Sequence, residues 1–150
     1  MMSSFSIRSI LYICDKNIVR SPMAEMLTKH LSCAKIFVDS VGLQAGDIDH
    51  FIYAVLEDLP PGASRGPSKT LEQVDGVSFD LVVALSQRAY AQAREAVTGY
   101  ATRLEYWDVS DPSLITGNRE VRLQAYRALR HELEARIRGV LNQTMLSLSP

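Results

Sequence analysis

Apolar residues along the chain occur in two patterns: short continuous runs, and stretches in which they recur every three or four positions. The first is the mark of a buried strand and the second of an amphipathic helix. Ser9–Cys14 (SILYIC) is β-branched and aromatic and predicts a buried strand. A polar loop follows to Arg20. Ser21–Cys33 predicts a helix, with Pro22 suited to its first turn and Met23, Met26, Leu27 and His30 at helical spacing. Lys35–Val41 predicts a second strand, and Phe51–Leu59 a helix stopped by Pro60 and Pro61. Residues 60–68 hold three prolines and two glycines and predict a loop, and Lys69–Val74 predicts a short helix. Phe79–Leu85 (FDLVVAL) is the clearest buried strand, and Gln87–Val97 a helix closed by Gly99. Arg103–Trp107 predicts the last strand, and Asp108–Gly117 a loop containing Asp111-Pro112. Asn118 is placed to cap a long helix to about Leu141, whose stripe is Tyr126, Leu129, Leu133, Ile137 and Val140. Residues 144–150 are expected to fray.

Strand and helix alternate throughout, which predicts an α/β fold of parallel strands with helices on both faces. Such sheets bind ligands beyond the carboxyl ends of their strands. That rule points to the loops after the first and last strands, residues 14–20 and 108–117. A chain of 150 residues predicts one domain over 1–150. With 47% hydrophobic and 22% charged residues, the composition is that of a globular protein and not of a disordered chain. Sixteen basic and 17 acidic residues leave a net charge of −1, so no global pull toward nucleic acid or an anionic membrane is expected. Two cysteines, Cys14 and Cys33, make no disulfide framework, and the apolar run Ile10–Ile13 is too short for a signal peptide or a membrane span. The expected setting is a reducing cytoplasm, where a free thiol persists.

The chemistry concentrates in Cys14–Ser21, CDKNIVRS. A cysteine ends a strand, five residues follow, and an arginine opens a helix. Backbone amides of a loop that turns inward form an anion-binding nest, and the helix N-terminus adds N–H donors and a positive dipole end. Asp15, Lys16, Asn17, Ile18, Val19, Arg20 and Ser21 are therefore the candidate substrate-binding residues. Arg20 can grip two oxygens of a phosphate in a planar fork. The same positive field favours the thiolate, the nucleophilic form of a cysteine. The loop has no glycine, which excludes the nucleotide-binding P-loop pattern, and no close cluster of Cys and His suggests a metal. A carboxyl group across from the sulfur is needed to protonate a departing oxygen. Asp111, held extended by Pro112, is one candidate and Asp108 the rival.

CDKNIVRSPMAEML resembles the signature of the low-molecular-weight protein tyrosine phosphatase family, including its arsenate-reductase-like branches. VDSVGL resembles the family's Ser-Ala-Gly element after the second strand. PSKTLEQV and FDLVVALS resemble its middle segment, and YWDVSDPSLITG with the long helix resembles its Asp-Pro loop and last helix. The resemblance implies a four-stranded parallel sheet flanked by helices, a flavodoxin-like three-layer sandwich. It implies that Cys14 attacks phosphorus and forms a phosphocysteine, that Arg20 binds the phosphoryl oxygens, and that Asp111 is the proton donor. Ser21 would hydrogen-bond the sulfur, and Asn17 would hold the loop with help from Ser40. No cofactor and no metal are expected.

Two departures narrow the function. Many family members carry a second cysteine within the loop, where this chain has Val19. Arsenate reductases of this fold coupled to thioredoxin use a further cysteine pair after the third strand, and residues 82–94 contain none. The leading expectation is a phosphomonoester hydrolase acting on phosphotyrosine proteins or small aryl phosphates. The alternatives are an arsenate reductase that borrows an external thiol and a non-catalytic oxyanion-binding module. Just after Asp-Pro the chain has Ser113 and Leu114 where eukaryotic-type members carry aromatic residues, so a shallow, open cleft is expected unless Tyr106 or Trp107 turns a ring toward it.

Overall fold

A computed structural model describes residues 6–60 and 68–148 of the chain, with side chains as far as Thr144 in the last helix. The loop expected at 60–68 lies mostly outside the described residues. Four strands, β1 (Ser9–Cys14), β2 (Phe37–Gly42), β3 (Leu81–Ala84) and β4 (Arg103–Tyr106), form one parallel sheet in the order β2-β1-β3-β4. The helices are α1 (Arg20–Leu31), α2 (His50–Val55), α3 (Gln87–Val97) and α4 (Arg119–Leu148).

Alternation along β1 explains the layering. Ile10, Tyr12 and Cys14 point to the face shared with Met23 and Leu27 of α1 and Tyr126, Leu129 and Leu133 of α4. Leu11 and Ile13 point to the other face, with Ala89, Ala93 and Val97 of α3. A period of two thus gives each face of the sheet its own apolar layer, the three-layer α/β arrangement expected from the sequence. Tyr12 is the polar exception. Burial raises the pKa of its phenol, and its OH lies 2.7 Å from Thr28 Oγ1 on α1, so the group is satisfied inside the core.

β1 has β2 on one side and β3 on the other, so the chain winds outward in both directions from the β1/β3 boundary. This is the switch point at which doubly wound sheets open a crevice beyond their carboxyl ends. Cys14, paired with Gly42, stands at that edge.

The elements differ from expectation mainly at their ends. α1 stops at Leu31, because Cys33 and Ala34 adopt left-handed conformations with φ of 53° and 59°. α2 ends at Val55 rather than Leu59, closed by the Leu56 N–H to Ile52 carbonyl bond. The short helix expected over Lys69–Val74 is one 3₁₀ turn, Leu71–Gln73, with Thr70 and Gln73 forming a capping box. Asn118 caps α4 by accepting the Val121 N–H at 2.9 Å. The helix then passes the expected end near Leu141 and continues to Leu148, with Leu141 buried and Thr144 buried where fraying was expected. These two extend the buried stripe by one more turn at helical spacing. Among the described residues no helix is long and apolar enough to cross a membrane.

Candidate active site

The loop leaving β1 is shaped by its own backbone and by the end of β2. The Leu43 N–H bonds to the Cys14 carbonyl at 3.1 Å, and the Gln44 N–H bonds to the Asp15 carbonyl at 2.9 Å. Asn17 has φ of 55°, a left-handed conformation that Asn accepts better than most residues. Gly42 lies directly beneath: a Cβ there would stand 2.6 Å from the Asn17 nitrogen, 2.7 Å from the Lys16 carbonyl carbon and 2.3 Å from the Gln44 oxygen. All three are backbone atoms with little room to shift. Gly42→Ala is expected to cost about 1–3 kcal/mol, as overpacking does, and to displace the loop. The expected result is a melting midpoint lower by several degrees together with weaker phosphate binding, read by thermal unfolding and calorimetry. A variant with both unchanged would show that the loop does not depend on this close approach.

Behind the loop runs a buried polar chain. Cys14 Sγ lies 2.8 Å from Ser21 Oγ. The Asn17 amide donates to Ser21 Oγ at 2.9 Å and to Ser40 Oγ at 3.0 Å, and accepts the Lys69 N–H at 3.3 Å. Ser40 Oγ is 2.6 Å from Glu25 Oε1, whose other oxygen ion-pairs with Lys29. A carboxylate only accepts, so Ser40 donates to Glu25 and turns its lone pairs to Asn17. That leaves the Ser21 proton to point at the sulfur or at the Val41 carbonyl, 3.2 Å away. Lys69 also ion-pairs with Asp39 on β2, which ties the segment before the Leu71–Gln73 turn to the sheet.

Arg20 is the first residue of α1. Its Nη1 donates to the Leu85 carbonyl at 2.9 Å, and its Nη2 lies 3.6 Å from Asp15 Oδ2 and 3.6 Å from Asp111 Oδ2. Asp111 begins a 3₁₀ turn, Pro112–Leu114. Its Oδ1 accepts the Ser113 N–H at 3.1 Å and the Ser113 hydroxyl at 2.6 Å, leaving Oδ2 to face Arg20. The Asp-Pro pair is therefore both a turn and part of the site. A third support comes from α4. The Tyr126 hydroxyl donates to Asp49, the cap of α2, whose own N–H bonds to the Ile18 carbonyl at 3.0 Å. Burial, followed by the Asp49 contact, raises the pKa of Tyr126.

Cys14, Asp15, Lys16, Ile18, Val19, Arg20, Asp111, Ser113 and Leu114 line one cavity of about 290 Å³. Asn17, Ser21 and Ser40 are buried behind it. Asp108 is exposed and does not line the cavity, so the structure separates the two aspartates that sequence left as rivals. Among the described residues none that lines the cavity is aromatic. Trp107 is buried against Tyr12, and Tyr106 packs on Tyr90, so neither supplies a wall. His30, expected partly on an apolar face, is exposed, as are His50 and His131. The contributions of Glu25, Asp49, Leu85 and Ser86 go unnoticed in the sequence. Glu25 has Ser21, Thr28 and Lys29 as its neighbours at helical spacing, so nothing in the apolar pattern sets it apart.

Residues 9–147 match the profile of the low molecular weight phosphotyrosine protein phosphatases. The chain belongs to this family. The glutaredoxin arsenate reductase of Synechocystis is 25% identical to it over 134 residues, 89% of this chain and 96% of that protein. An arsenate reductase of Halalkalibacterium halodurans is 28% identical over 86% of this chain and 91% of its own. A tyrosine phosphatase of Erwinia amylovora shares the fold with a TM-score of 0.72 at 20% identity, covering 91% of this chain and 92% of the other. Proteins similar to this chain thus carry the names of both activities.

Proposed function

We propose that the protein is a cysteine-dependent phosphomonoester hydrolase, most suited to aryl phosphates including phosphotyrosine. The observation that carries this reading is the convergence of Cys14, Arg20 and Asp111 on one cavity, with Asp111 Oδ2 at 3.6 Å from the guanidinium. A pocket that only bound an oxyanion would have no use for a proton donor beside it. In the proposed reaction the Cys14 thiolate attacks phosphorus as the ester P–O bond breaks. The protonated Asp111 carboxyl gives its proton to the leaving oxygen. Water then attacks the phosphocysteine, the Asp111 carboxylate takes a proton from it, and the S–P bond breaks to release phosphate and the thiolate. Arg20 and the loop amides hold the phosphoryl oxygens through both steps. The Ser21 hydroxyl stabilises the departing sulfur.

A second reading, arsenate reduction with an external thiol, is favoured by the names of the curated relatives. Against an internal thiol relay stands the position of Cys33. It is exposed beyond the far end of α1, a helix about 18 Å long that begins at Arg20. A disulfide needs Cα atoms within about 7 Å. Peroxide is therefore expected to drive Cys14 to sulfenic and then to irreversible acids. Mass spectrometry of the native protein checks this, and a dominant Cys14–Cys33 disulfide would refute the geometry.

The functional test sets hydrolysis of an aryl phosphate beside thiol-dependent arsenate reduction on the same preparation. Hydrolysis with negligible reduction supports the proposal; reduction without hydrolysis selects the second reading. Substrate preference follows from the lining. An aromatic stack is worth about 0.5–1.5 kcal/mol beyond area burial, so without one a phenyl ring is expected to gain roughly tenfold or less. Values of kcat/KM for phosphotyrosine peptides against small aryl and alkyl phosphates measure it. A phosphotyrosine preference of roughly a thousandfold would require an aromatic wall that the lining does not contain.

A further inference from the structure

A carboxylate inside an oxyanion pocket needs an explanation, and Asp111 has one in the proposed reaction. Asp15 does not. Its Oδ1 is held by the Ser86 hydroxyl at 2.8 Å, and Ser86 is itself fixed as the cap of α3 by the Ala89 N–H at 3.1 Å. Its Oδ2 faces Arg20 Nη2 at 3.6 Å, an ion-pair distance too long for a hydrogen bond, and the residue lines the cavity beside Cys14. The carboxylate is thus anchored by a hydrogen bond at one oxygen, while the other faces the Arg20 guanidinium that lines the same cavity.

Hydrogen phosphate, hydrogen arsenate and sulfate are tetrahedral oxyanions of equal charge. Arg20, Lys16 and the loop amides attract all three alike. They differ in one respect: the first two carry a proton and sulfate does not. A carboxylate oxygen rewards an O–H with a charge-assisted hydrogen bond and repels a bare oxyanion oxygen. We propose that Asp15 makes this pocket selective for tetrahedral oxyanions that carry a proton, by accepting the ligand's O–H at Oδ2. Phosphomonoesters are then admitted in their singly protonated form, and sulfate is excluded. Asp111 Oδ2 stands at the same 3.6 Å from Arg20 Nη2, so the test compares the two carboxylates directly. The inference rests on the reading of the pocket as an oxyanion site and adds a specificity residue to it.

The test is calorimetric titration of the full chain with inorganic phosphate, arsenate and sulfate at mildly alkaline pH, where phosphate is mainly hydrogen phosphate, and at matched ionic strength. Phosphate and arsenate are expected to bind at least about tenfold more tightly than sulfate, the scale of one hydrogen bond to a charged group. Asp15→Asn, whose amide can donate to a bare oxygen, is expected to close most of that gap by strengthening sulfate, and Asp15→Ala to narrow it. Thermal unfolding of both variants confirms that the loop is folded. Sulfate binding as tight as phosphate in the wild type, or a ratio unmoved in both variants, overturns the proposal. So does a ratio that collapses in Asp111→Asn and not in Asp15→Asn. Selective binding without aryl-phosphate turnover would defeat the hydrolase reading and leave this inference standing; turnover without selectivity would do the reverse. An absence of oxyanion binding would remove both.

Discussion

Cys14→Ser is expected to reduce aryl-phosphate turnover by roughly 10⁴-fold or more, while phosphate still binds. The substitution keeps the side chain's shape and its neighbour Ser21, 2.8 Å from the sulfur. It removes the one atom able to ionise and attack. The elements that would hold the anion are untouched: Arg20 stays anchored to the Leu85 carbonyl at 2.9 Å, and the loop stays on Gly42. A pocket emptied of its nucleophile but not of its donors separates chemistry from binding. The measurements are steady-state hydrolysis and calorimetric phosphate affinity on the same sample. A serine variant with substantial activity would end the covalent mechanism, whatever its affinity.

Asp111→Asn is expected to slow hydrolysis of a simple phenyl phosphate by about 10²–10⁴-fold, the usual contribution of a positioned acid. The loss should shrink sharply for an ester whose leaving group is already acidic, because such an oxygen departs without a proton. The argument is geometric. Ser113 pins Oδ1 through its N–H and its hydroxyl, so the second oxygen is aimed at the cavity and at Arg20. Asparagine preserves both Ser113 bonds, so a loss that depends on the leaving group reports the missing proton and not a displaced loop. Equal losses for good and poor leaving groups, or a larger loss from Asp108→Asn, would move the assignment elsewhere.

The core of this arrangement is legible in the sequence because both faces of β1 and β3 are buried. Continuous apolar runs such as LYIC and LVVA have few other readings in a chain of alternating elements. Cys14 and Arg20 are legible because the apolar run of β1 ends on the one and the helical pattern of α1 opens beside the other. Element ends are harder, since they depend on single backbone conformations such as the left-handed Cys33 and Ala34, which no periodicity announces. Asp111 and Asp108 look alike until the 3₁₀ turn and Ser113 orient one of them. The partners of Asp15 and Arg20 come from the β3–α3 junction, more than sixty residues away, where Leu85 offers a carbonyl and Ser86 a hydroxyl. Such contacts follow from the parallel register of β1 on β3, which only the folded sheet supplies.

The most direct measurement is rapid acid quenching during turnover of an aryl phosphate with a good leaving group, followed by peptide mapping. The account predicts a phosphoryl group on the peptide containing Cys14, formed with a burst of released phenol and absent from Cys14→Ser. A phosphoryl group on any other residue, or steady hydrolysis by the serine variant, would contradict it.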